Sequence, residues 1–364
     1  MICWKRLIGC MKIKETLFCQ LTNTEKDKEI FEKAGEIIRA GGLVAFPTET
    51  VYGLGGDAMN VSAAKEIYAA KGRPSDNPLI VHICRKEDLF LAAKDVGEKA
   101  RILTEAFWPG PLTIILPKNE MIPASTTGGL DTVAVRFPAN EAAVAFIKAS
   151  GRLIAAPSAN TSGRPSTTKA LHVKEDLDGK IDMIIDGGAV EIGLESTIVD
   201  MTENIPVILR PGYITKGMLE AVIGPVLTDP GLLEEDSKKP PKAPGMKYRH
   251  YAPKAALRIV SGNSADVIKK INELCRQAEK EGKRTGVIAA EETYDLYDAD
   301  VVVSAGGRTD SLSIASRLYD ILRSFDSSAV DVIYSECFED NDLGQAIMNR
   351  LLKAAGHHIV RLGG

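Results

Sequence analysis

A single stretch near the N-terminus reads Leu43-Val44-Ala45-Phe46-Pro47-Thr48-Glu49-Thr50-Val51-Tyr52-Gly53-Leu54-Gly55. Its apolar start predicts a buried strand that ends at Pro47, and its last residues predict a glycine-rich turn. Apolar residues at helical spacing from Asp27 to Ala40 predict a helix before it, which Gly41-Gly42 ends. The open end of a strand is where α/β sheets bind ligands. A turn with only local Thr and Glu hydrogen bonds explains this stretch equally well.

Outward from this stretch, strands and helices alternate without a regular repeat. This mixture, broken by many Gly and Pro residues, predicts a twisted α/β sheet and not a simple series of βαβ units. The predicted strands are Leu112–Leu116, Thr132–Phe137, Leu153–Ala156, Met183–Asp186, Thr197–Asp200 and Val207–Leu209.

The pattern changes twice in the second half of the chain, which predicts three segments: a first domain over 25–228, a linker over 229–254 and a C-terminal domain over 255–364. From residue 255 strands and helices alternate regularly, which predicts a small open parallel sheet of Rossmann-like form. The linker is rich in proline and charge. Its last part, Pro244–Pro253, combines two tyrosines, two cations and a histidine, which predicts a lid over the site.

The bulk composition argues against some functions. The 364 residues carry a formal net charge of −4, so the chain as a whole is not attracted to polyanions, although a local basic groove stays possible. Aromatic residues make up 5% of the chain, which disfavours binding of single-stranded RNA by base stacking. The six cysteines have no metal-binding spacing, and no stretch approaches the roughly 18 apolar residues of a membrane span. These features predict a cytoplasmic protein with free thiols.

Two polar clusters suit a polyphosphate. Two cations lie side by side in Lys71-Gly72-Arg73-Pro74, which is followed by Asn77. Further on, Pro157-Ser158-Ala159-Asn160 follows a predicted strand ending at Ala156 and opens a hydroxyl-rich loop that includes Ser166. Cations beside short polar donors bind phosphate well, although neither common nucleotide fingerprint, GxxxxGK[ST] or GxGxxG, is present. A solvated charge pair and an ordinary turn are the alternative interpretations.

Polar residues also lie in or beside strand-like runs. A lone histidine such as His82 is more often structural in that setting. Arg136 is more informative, because a buried cation without a partner costs several kcal/mol and so needs an anion, either an internal carboxylate or a substrate carboxylate. The residues alone favour neither. Glu195-Ser196-Thr197 does not resemble a nucleophile elbow, and Arg210 is explained equally well as the cap of a strand.

Taken together, these motifs resemble the Sua5/YrdC/YciO family in its longer, two-domain Sua5 form, over about residues 29–360. Each motif alone is weak, but the set is specific. The matching segments are Pro47–Leu54, Lys71–Pro74 with Asn77–Leu79, Trp108–Thr113, Val135–Pro138, Ser158–Asn160, Glu195–Thr197, Leu209–Gly212, Pro244–Pro253 and Gly344–Ala354.

The resemblance implies a YrdC-like twisted catalytic domain with a C-terminal Sua5 domain, and a reaction. L-threonine, bicarbonate and ATP would give L-threonylcarbamoyl-AMP and pyrophosphate, and the product would pass to a separate tRNA threonylcarbamoyl transferase that modifies adenosine 37. Mg²⁺ would come with ATP, and no prosthetic group is expected. The resemblance is also consistent with weak tRNA contact and with a monomer.

The resemblance further implies roles for individual residues. Lys71 and Arg73 would be the catalytic cations that neutralise phosphates. The residues expected to contact ATP are Arg73, Asn77, Thr132, Ser158, Asn160, Ser166, Arg210 and Tyr251. The residues expected to hold threonine are Thr50, His82, Arg136, Ala156 and Ser196, with Arg136 on the carboxylate.

Three alternatives compete with this interpretation. One is an RNA-binding or ribosome-maturation module of the same fold, against which the net charge and scarce aromatic residues count. Another is a carbamoyl-adenylating enzyme of hydrogenase maturation, which would carry CxxC pairs and an extra N-terminal domain. In the third, the C-terminal domain is the functional part, but its first strand turn, Ser261–Ser264, has a single glycine and so gives little support for dinucleotide binding.

Overall fold

The structure of the protein is a computed structural model that describes residues 14–22, 25–232, 251–338 and 342–363. Within these residues the chain forms two α/β units. The sheet of the first unit has eleven strands and that of the second has five. The predicted α/β fold class is therefore confirmed for both units.

The first sheet is mixed, with parallel and antiparallel neighbours. Its strands are β1 (Leu17–Gln20), β2 (Val44–Phe46), β3 (Gly53–Asp57), β4 (Ile80–His82), β5 (Leu112–Pro117), β6 (Thr132–Arg136), β7 (Ile154–Ala156), β8 (Met183–Asp186), β9 (Thr197–Asp200), β10 (Val207–Arg210) and β11 (Leu227–Thr228). Their order across the sheet is β1-β8-β2-β3-β7-β4-β6-β5-β9-β10-β11.

Helices cover both faces of this sheet. They are α1 (Lys26–Arg39), α2 (Val61–Lys71), α3 (Leu89–Ala92), α4 (Glu98–Phe107), α5 (Glu141–Ser150), α6 (Ala170–Leu177) and α7 (Lys216–Ile223). On one face Ile38 of α1 and Phe146 of α5 share a buried cluster with Phe46 of β2. Helix α2 begins at the cap residue Asn60 and ends before Gly72, which has a φ of 61°. That left-handed residue turns the chain so that Lys71 closes the helix and Arg73 starts the next loop.

The second unit is an open sheet whose neighbouring strands are all parallel. Its elements are β12 (Ala256–Ser261), α8 (Ser264–Lys280), β13 (Thr285–Ala289), β14 (Val301–Ser304), α9 (Ser311–Ser327), β15 (Val332–Glu336), α10 (Asp342–Ala354) and β16 (Ile359–Arg361). Helix α8 packs on one face, whereas α9 and α10 pack on the other. The α9/α10 face also buries Val51 and Leu194 of the first unit, so the two units share a core.

Two expectations are wrong in detail. The predicted glycine-rich turn is strand β3, which pairs antiparallel with β2, and the reversal lies between Pro47 and Tyr52 instead. The glycines that suggested a turn are there because this strand is crowded by its neighbours. A Cβ at Gly55 would lie 2.8 Å from Ile154 Cγ2. The first unit also extends beyond its predicted boundary at residue 25, because β1 pairs with β8.

The predicted linker over 229–254 is described only at its ends. Residues 233–250, which include most of the predicted lid, lie outside the described residues. At the two ends, Leu232 and Tyr251 are both buried. No helix in the described part of the chain is long and apolar enough to cross a membrane.

Candidate active site

Loops at the ends of neighbouring strands of the first sheet line an open cleft. The predicted site residues that line it are Thr50, Lys71, Arg73, His82, Arg136, Ala156, Ser158, Asn160, Ser196, Arg210 and Tyr251. Both polar clusters identified in the sequence therefore face one cavity.

The sheet register places the polar residues of one wall in a row. His82 on β4 is the cross-strand partner of Arg136 on β6, and Arg136 is the partner of Thr113 on β5. The Thr113 hydroxyl lies 2.7 Å from that of Ser196, which directly precedes β9. Side chains on adjacent strands are close enough to act on one small ligand.

Arg136 is buried, with 4% of its surface exposed, and has an internal anionic neighbour. Its Nη2 lies 2.7 Å from Glu49 Oε1, and its Nη1 donates a 2.8 Å hydrogen bond to Thr50 Oγ1. The contact with Glu49 is an ion pair without hydrogen-bond geometry, because Nη2 and both Glu49 carboxylate oxygens have no hydrogen-bond partner. Glu49 thus neutralises the charge of Arg136 and leaves donor capacity on its guanidinium.

His82 is held neutral. Burial, followed by the nearby positive charge of Arg136, lowers the pKa of His82 from its usual 6.5 to about 3. Its Nδ1 lies 3.1 Å from the carbonyl oxygen of Ile80, and its ring meets Phe46 edge-on. A neutral imidazole beside Arg136 adds no second positive charge to this wall of the cleft.

Lys71 joins the two polar clusters. Its ammonium group donates hydrogen bonds to the backbone carbonyl oxygens of Ser158 and Asn160, and Ser158 Oγ donates to Asn160 Oδ1 at 2.5 Å. Burial, and then the charge of Arg73, lowers the pKa of Lys71 well below its usual value. The lysine therefore shapes the 158–160 loop as well as lining the cleft.

Arg73 lines the same cleft as this loop and has unused donor capacity. Its Nη2 donates to the carbonyl oxygen of Pro78 at 3.3 Å, while its buried Nε has no partner. Burial lowers the pKa of Arg73 to about 10, which leaves it charged at neutral pH. A buried guanidinium with an unsatisfied N–H is suited to an anionic ligand.

The remaining wall carries a third arginine. Arg210, at the end of β10, donates from Nε to the Ser196 carbonyl oxygen at 3.0 Å and from Nη2 to Ser196 Oγ at 3.2 Å. Tyr251 closes this side, where its ring lies 5.1 Å from the ring of Tyr319. Tyr251 is the part of the predicted lid that the structure places at the cleft.

Three predicted site residues do not line the cleft. Asn77 and Thr132 lie at the N-terminal ends of β4 and β6, where buried Asn77 Oδ1 has no hydrogen-bond partner. Ser166 is fully buried behind the wall and donates to Glu195 Oε1 at 2.6 Å. Sequence reasoning assigned no role to Glu49 or Glu195, although each directly precedes a predicted threonine-binding residue and so could have been noticed.

Family comparisons agree with the two units. The model described as "Telomere recombination" matches residues 36–212, and the one described as "Threonylcarbamoyl-AMP synthase, C-terminal domain" matches residues 214–356. Curated proteins named threonylcarbamoyl-AMP synthase from Pyrococcus abyssi and Bacillus subtilis are each 51% identical to this chain. The matches cover 90% of this chain and 95% and 94% of theirs. The chain belongs to the Sua5/YrdC/YciO family.

Solved structures extend this agreement to the complete two-domain form. The structure of P. abyssi Sua5 complexed with L-threonine superposes with a TM-score of 0.90 at 48% identity and covers 96% of this chain and 99% of its own. A doubly substituted P. abyssi Sua5 gives a TM-score of 0.91 over 95% of this chain and 98% of its own. The predicted arrangement of a YrdC-like domain followed by a Sua5 C-terminal domain is thus confirmed.

Proposed function

We propose that this protein is an L-threonylcarbamoyladenylate synthase, which forms threonylcarbamoyl-AMP and pyrophosphate from L-threonine, bicarbonate and ATP. One observation supports the proposal: Arg136, Arg73 and the loop that begins at Ser158 all line a single cleft, where they can serve a carboxylate and a polyphosphate together. The names of the related proteins describe the same product.

Threonine is assigned to the wall formed by Thr50, His82, Arg136 and Ser196, with Ala156 at its edge. The free N–H groups of Arg136 bind the threonine carboxylate, and Thr50 holds the guanidinium in place. Neutral His82 and the Ser196 hydroxyl supply uncharged hydrogen-bonding groups beside it. The internal partner Glu49 keeps this wall near neutrality until the substrate arrives.

ATP is assigned to the remaining residues that line the cleft. Arg73, Lys71 and the 158–160 loop surround the phosphates, with Arg210 and Tyr251 closing the site. Asn77, Thr132 and Ser166 complete the proposed ATP site from outside the cleft lining. The contribution of Ser166 is indirect in this structure, since its hydroxyl donates to Glu195 behind the wall.

The chemistry needs no protein nucleophile. The threonine amine combines with bicarbonate to give a carbamate and water, and a carbamate oxygen then attacks the α-phosphorus of ATP. The bond to the bridging oxygen breaks, and pyrophosphate leaves. Catalysis by Lys71 and Arg73 rests on positioning and charge neutralisation. Mg²⁺ enters as the counter-ion of the ATP phosphates.

The wider setting of the reaction is part of the proposal. A threonylcarbamoyl-AMP product is a substrate for a tRNA threonylcarbamoyl transferase that modifies adenosine 37, and we assign this protein to the cytoplasm. It acts there as a monomer, with weak tRNA contact at most.

Pyrophosphate release from ATP, with L-threonine and bicarbonate omitted in turn, tests the proposal. We expect release to require both. In Arg136→Ala the KM for threonine should rise about 10-fold to 100-fold, because a hydrogen bond to a charged group contributes about 1.5–3 kcal/mol. Exposed Arg101 is the matched control, and Arg101→Ala should behave as the parent protein.

Arg136→Ala leaves Glu49 buried without its cation, which endangers folding. The double variant Glu49→Gln/Arg136→Gln removes both charges and keeps the test valid if the single variant is unfolded. Release by the parent that does not depend on threonine would refute the assignment and favour an RNA-binding role, and an unchanged KM for threonine in both variants would refute the role of Arg136.

A further inference from the structure

Buried polar side chains of the second unit contact the loops that form the cleft. Tyr319 and Arg323 come from α9, and Arg350 comes from α10. Tyr319 and Arg350 have no exposed surface, and Arg323 is 5% exposed. All three contact backbone or side-chain atoms of the first unit.

Glu195 is the carboxylate on which these contacts converge. It accepts hydrogen bonds from Tyr319 Oη at 2.9 and 3.0 Å, from Arg350 Nε at 3.1 Å and from Ser166 Oγ at 2.6 Å. Burial by itself would raise the pKa of Glu195, but Arg350, Arg210 and the Ser166 hydroxyl outweigh it and lower that pKa to about 2. Glu195 is therefore a buried anion with donors from both units.

Arg350 also holds the backbone on either side of the cleft wall. Its Nη2 donates to the carbonyl oxygen of Glu195 at 3.3 Å, directly before Ser196. Its Nη1 donates to the carbonyl oxygen of Pro211, directly after Arg210. One guanidinium thus connects the chain segments that carry Ser196 and Arg210, which are themselves hydrogen-bonded to each other.

Stability alone is a poor explanation of this arrangement. A buried ion pair gives little net stabilisation, because the cost of removing both charges from water offsets their attraction, and well-packed apolar residues often replace such pairs without loss. A planar guanidinium with several fixed donors does, however, define geometry well. The contacts therefore fit a role in orientation.

We propose that Arg350 is a positioning residue that fixes Ser196 and Arg210 through Glu195 and Pro211, so that the C-terminal unit completes the active site of the first unit. The inference rests on the proposed function for its substrates, because Ser196 is assigned to threonine and Arg210 to ATP. It gives the C-terminal unit a direct part in substrate binding.

The main test is the double variant Glu195→Gln/Arg350→Met, which removes both charges and keeps similar side-chain volumes. Melting temperature, kcat and the KM values for ATP and threonine are measured by thermal unfolding and pyrophosphate release. We expect a folded protein whose KM values for both substrates rise about 10-fold to 100-fold. Displacement of the substrate-contacting residues Ser196 and Arg210 is the cause of this rise. Arg350→Lys keeps the charge but cannot reach all three acceptors, so its KM values should be intermediate.

A purely structural role would lower the fraction of active enzyme, which reduces kcat and leaves KM unchanged. That result in the double variant would overturn the proposal. Lys169→Ala is the matched control, because Lys169 pairs with Asp320 across the same two units but is exposed and does not line the cleft. We expect its KM values to equal those of the parent.

The two proposals fail in distinguishable ways. If the parent protein releases no pyrophosphate, the proposed function is wrong. Calorimetric titration of the parent and the variants with L-threonine then still tests Arg350. Equal threonine affinity in parent and double variant would refute the positioning role, whatever the activity of the parent.

Discussion

At the scale of single residues, charge in the cleft is set by burial and by neighbours. Arg136 has Glu49 beside it, whereas His82, next along the sheet, gives up its charge because burial and Arg136 both oppose protonation. The wall therefore carries one compensated cation and one neutral ring. That balance suits a zwitterionic amino acid, whose carboxylate needs a donor and whose amine must be free of its proton to react.

The lowered pKa of His82 predicts a pH dependence of stability. Between pH 6.5 and about 3 the unfolded chain binds a proton at this histidine and the folded chain does not, so acidification destabilises the protein. His82→Gln should lose up to about 1.4 kcal/mol per pH unit of this slope. Urea unfolding at pH 7, 6, 5 and 4.5 measures it.

Exposed His358 provides the control for that experiment. His358→Gln should keep the slope of the parent protein. An unchanged slope in His82→Gln would mean that the ring accepts its proton in the folded state.

At the scale of secondary structure, the packing around strand β3 explains its glycine residues. The glycines of β3 allow this strand to lie close to the side chains of β2 and β7. A Cβ at Gly55 would lie 2.8 Å from Ile154 Cγ2 and 3.0 Å from Phe46 Cε1. Glycine inside a strand is otherwise unfavourable. The close approach of the neighbouring side chains thus explains why this strand tolerates it.

Gly55→Ala should destabilise the protein by about 1–3 kcal/mol, since an added methyl group in a packed core forces its neighbours apart. Urea unfolding gives the change in free energy. Gly307→Ala is the matched control, because a Cβ there would meet its nearest atom at 3.7 Å. Similar free energies for both variants would show that β2 and β7 adjust freely.

The same strand marks the limit of prediction from the sequence. Elements with a clear apolar period, such as β8 and β9, were predicted with their observed bounds. Gly53–Asp57 has the composition of a turn, and its strand pairing follows only from the neighbours that cover it. The site motifs were recognisable because they lie in short segments. Arg350 could not be connected with Glu195, because 155 residues separate the two and tertiary packing alone brings them together.

At the scale of the whole molecule, the two units share a core and a set of buried hydrogen bonds. Arg323 of α9 donates to Asp176 Oδ2 at 2.9 Å and to the carbonyl oxygen of Pro165 at 2.7 Å, which fixes the loop that follows Asn160. Leu194 packs into the second unit. The units are therefore expected to unfold together.

Gly193 of the first unit packs tightly against α9 of the second unit, which predicts a test of this coupling. Gly193 has a φ of 78°, and a Cβ there would lie 2.4 Å from Ser316 Cα on α9. Gly188, in the same loop, has a φ of 84° and nothing within 4 Å of such a Cβ. Alanine at either position carries the backbone strain, about 1–2 kcal/mol, but Gly193→Ala also pushes α9 away.

We expect Gly193→Ala to lower the free energy of unfolding by at least about 1 kcal/mol more than Gly188→Ala, because the added methyl group overpacks the contact with α9. Hydrogen exchange should rise in α9 and in the 158–166 loop, because Arg323 of α9 donates to the carbonyl oxygens of Pro165 and Ser166. Gly188→Ala should leave exchange there unchanged. If both variants lose the same free energy and show the same exchange, the two units are coupled too weakly for the C-terminal unit to shape the active site.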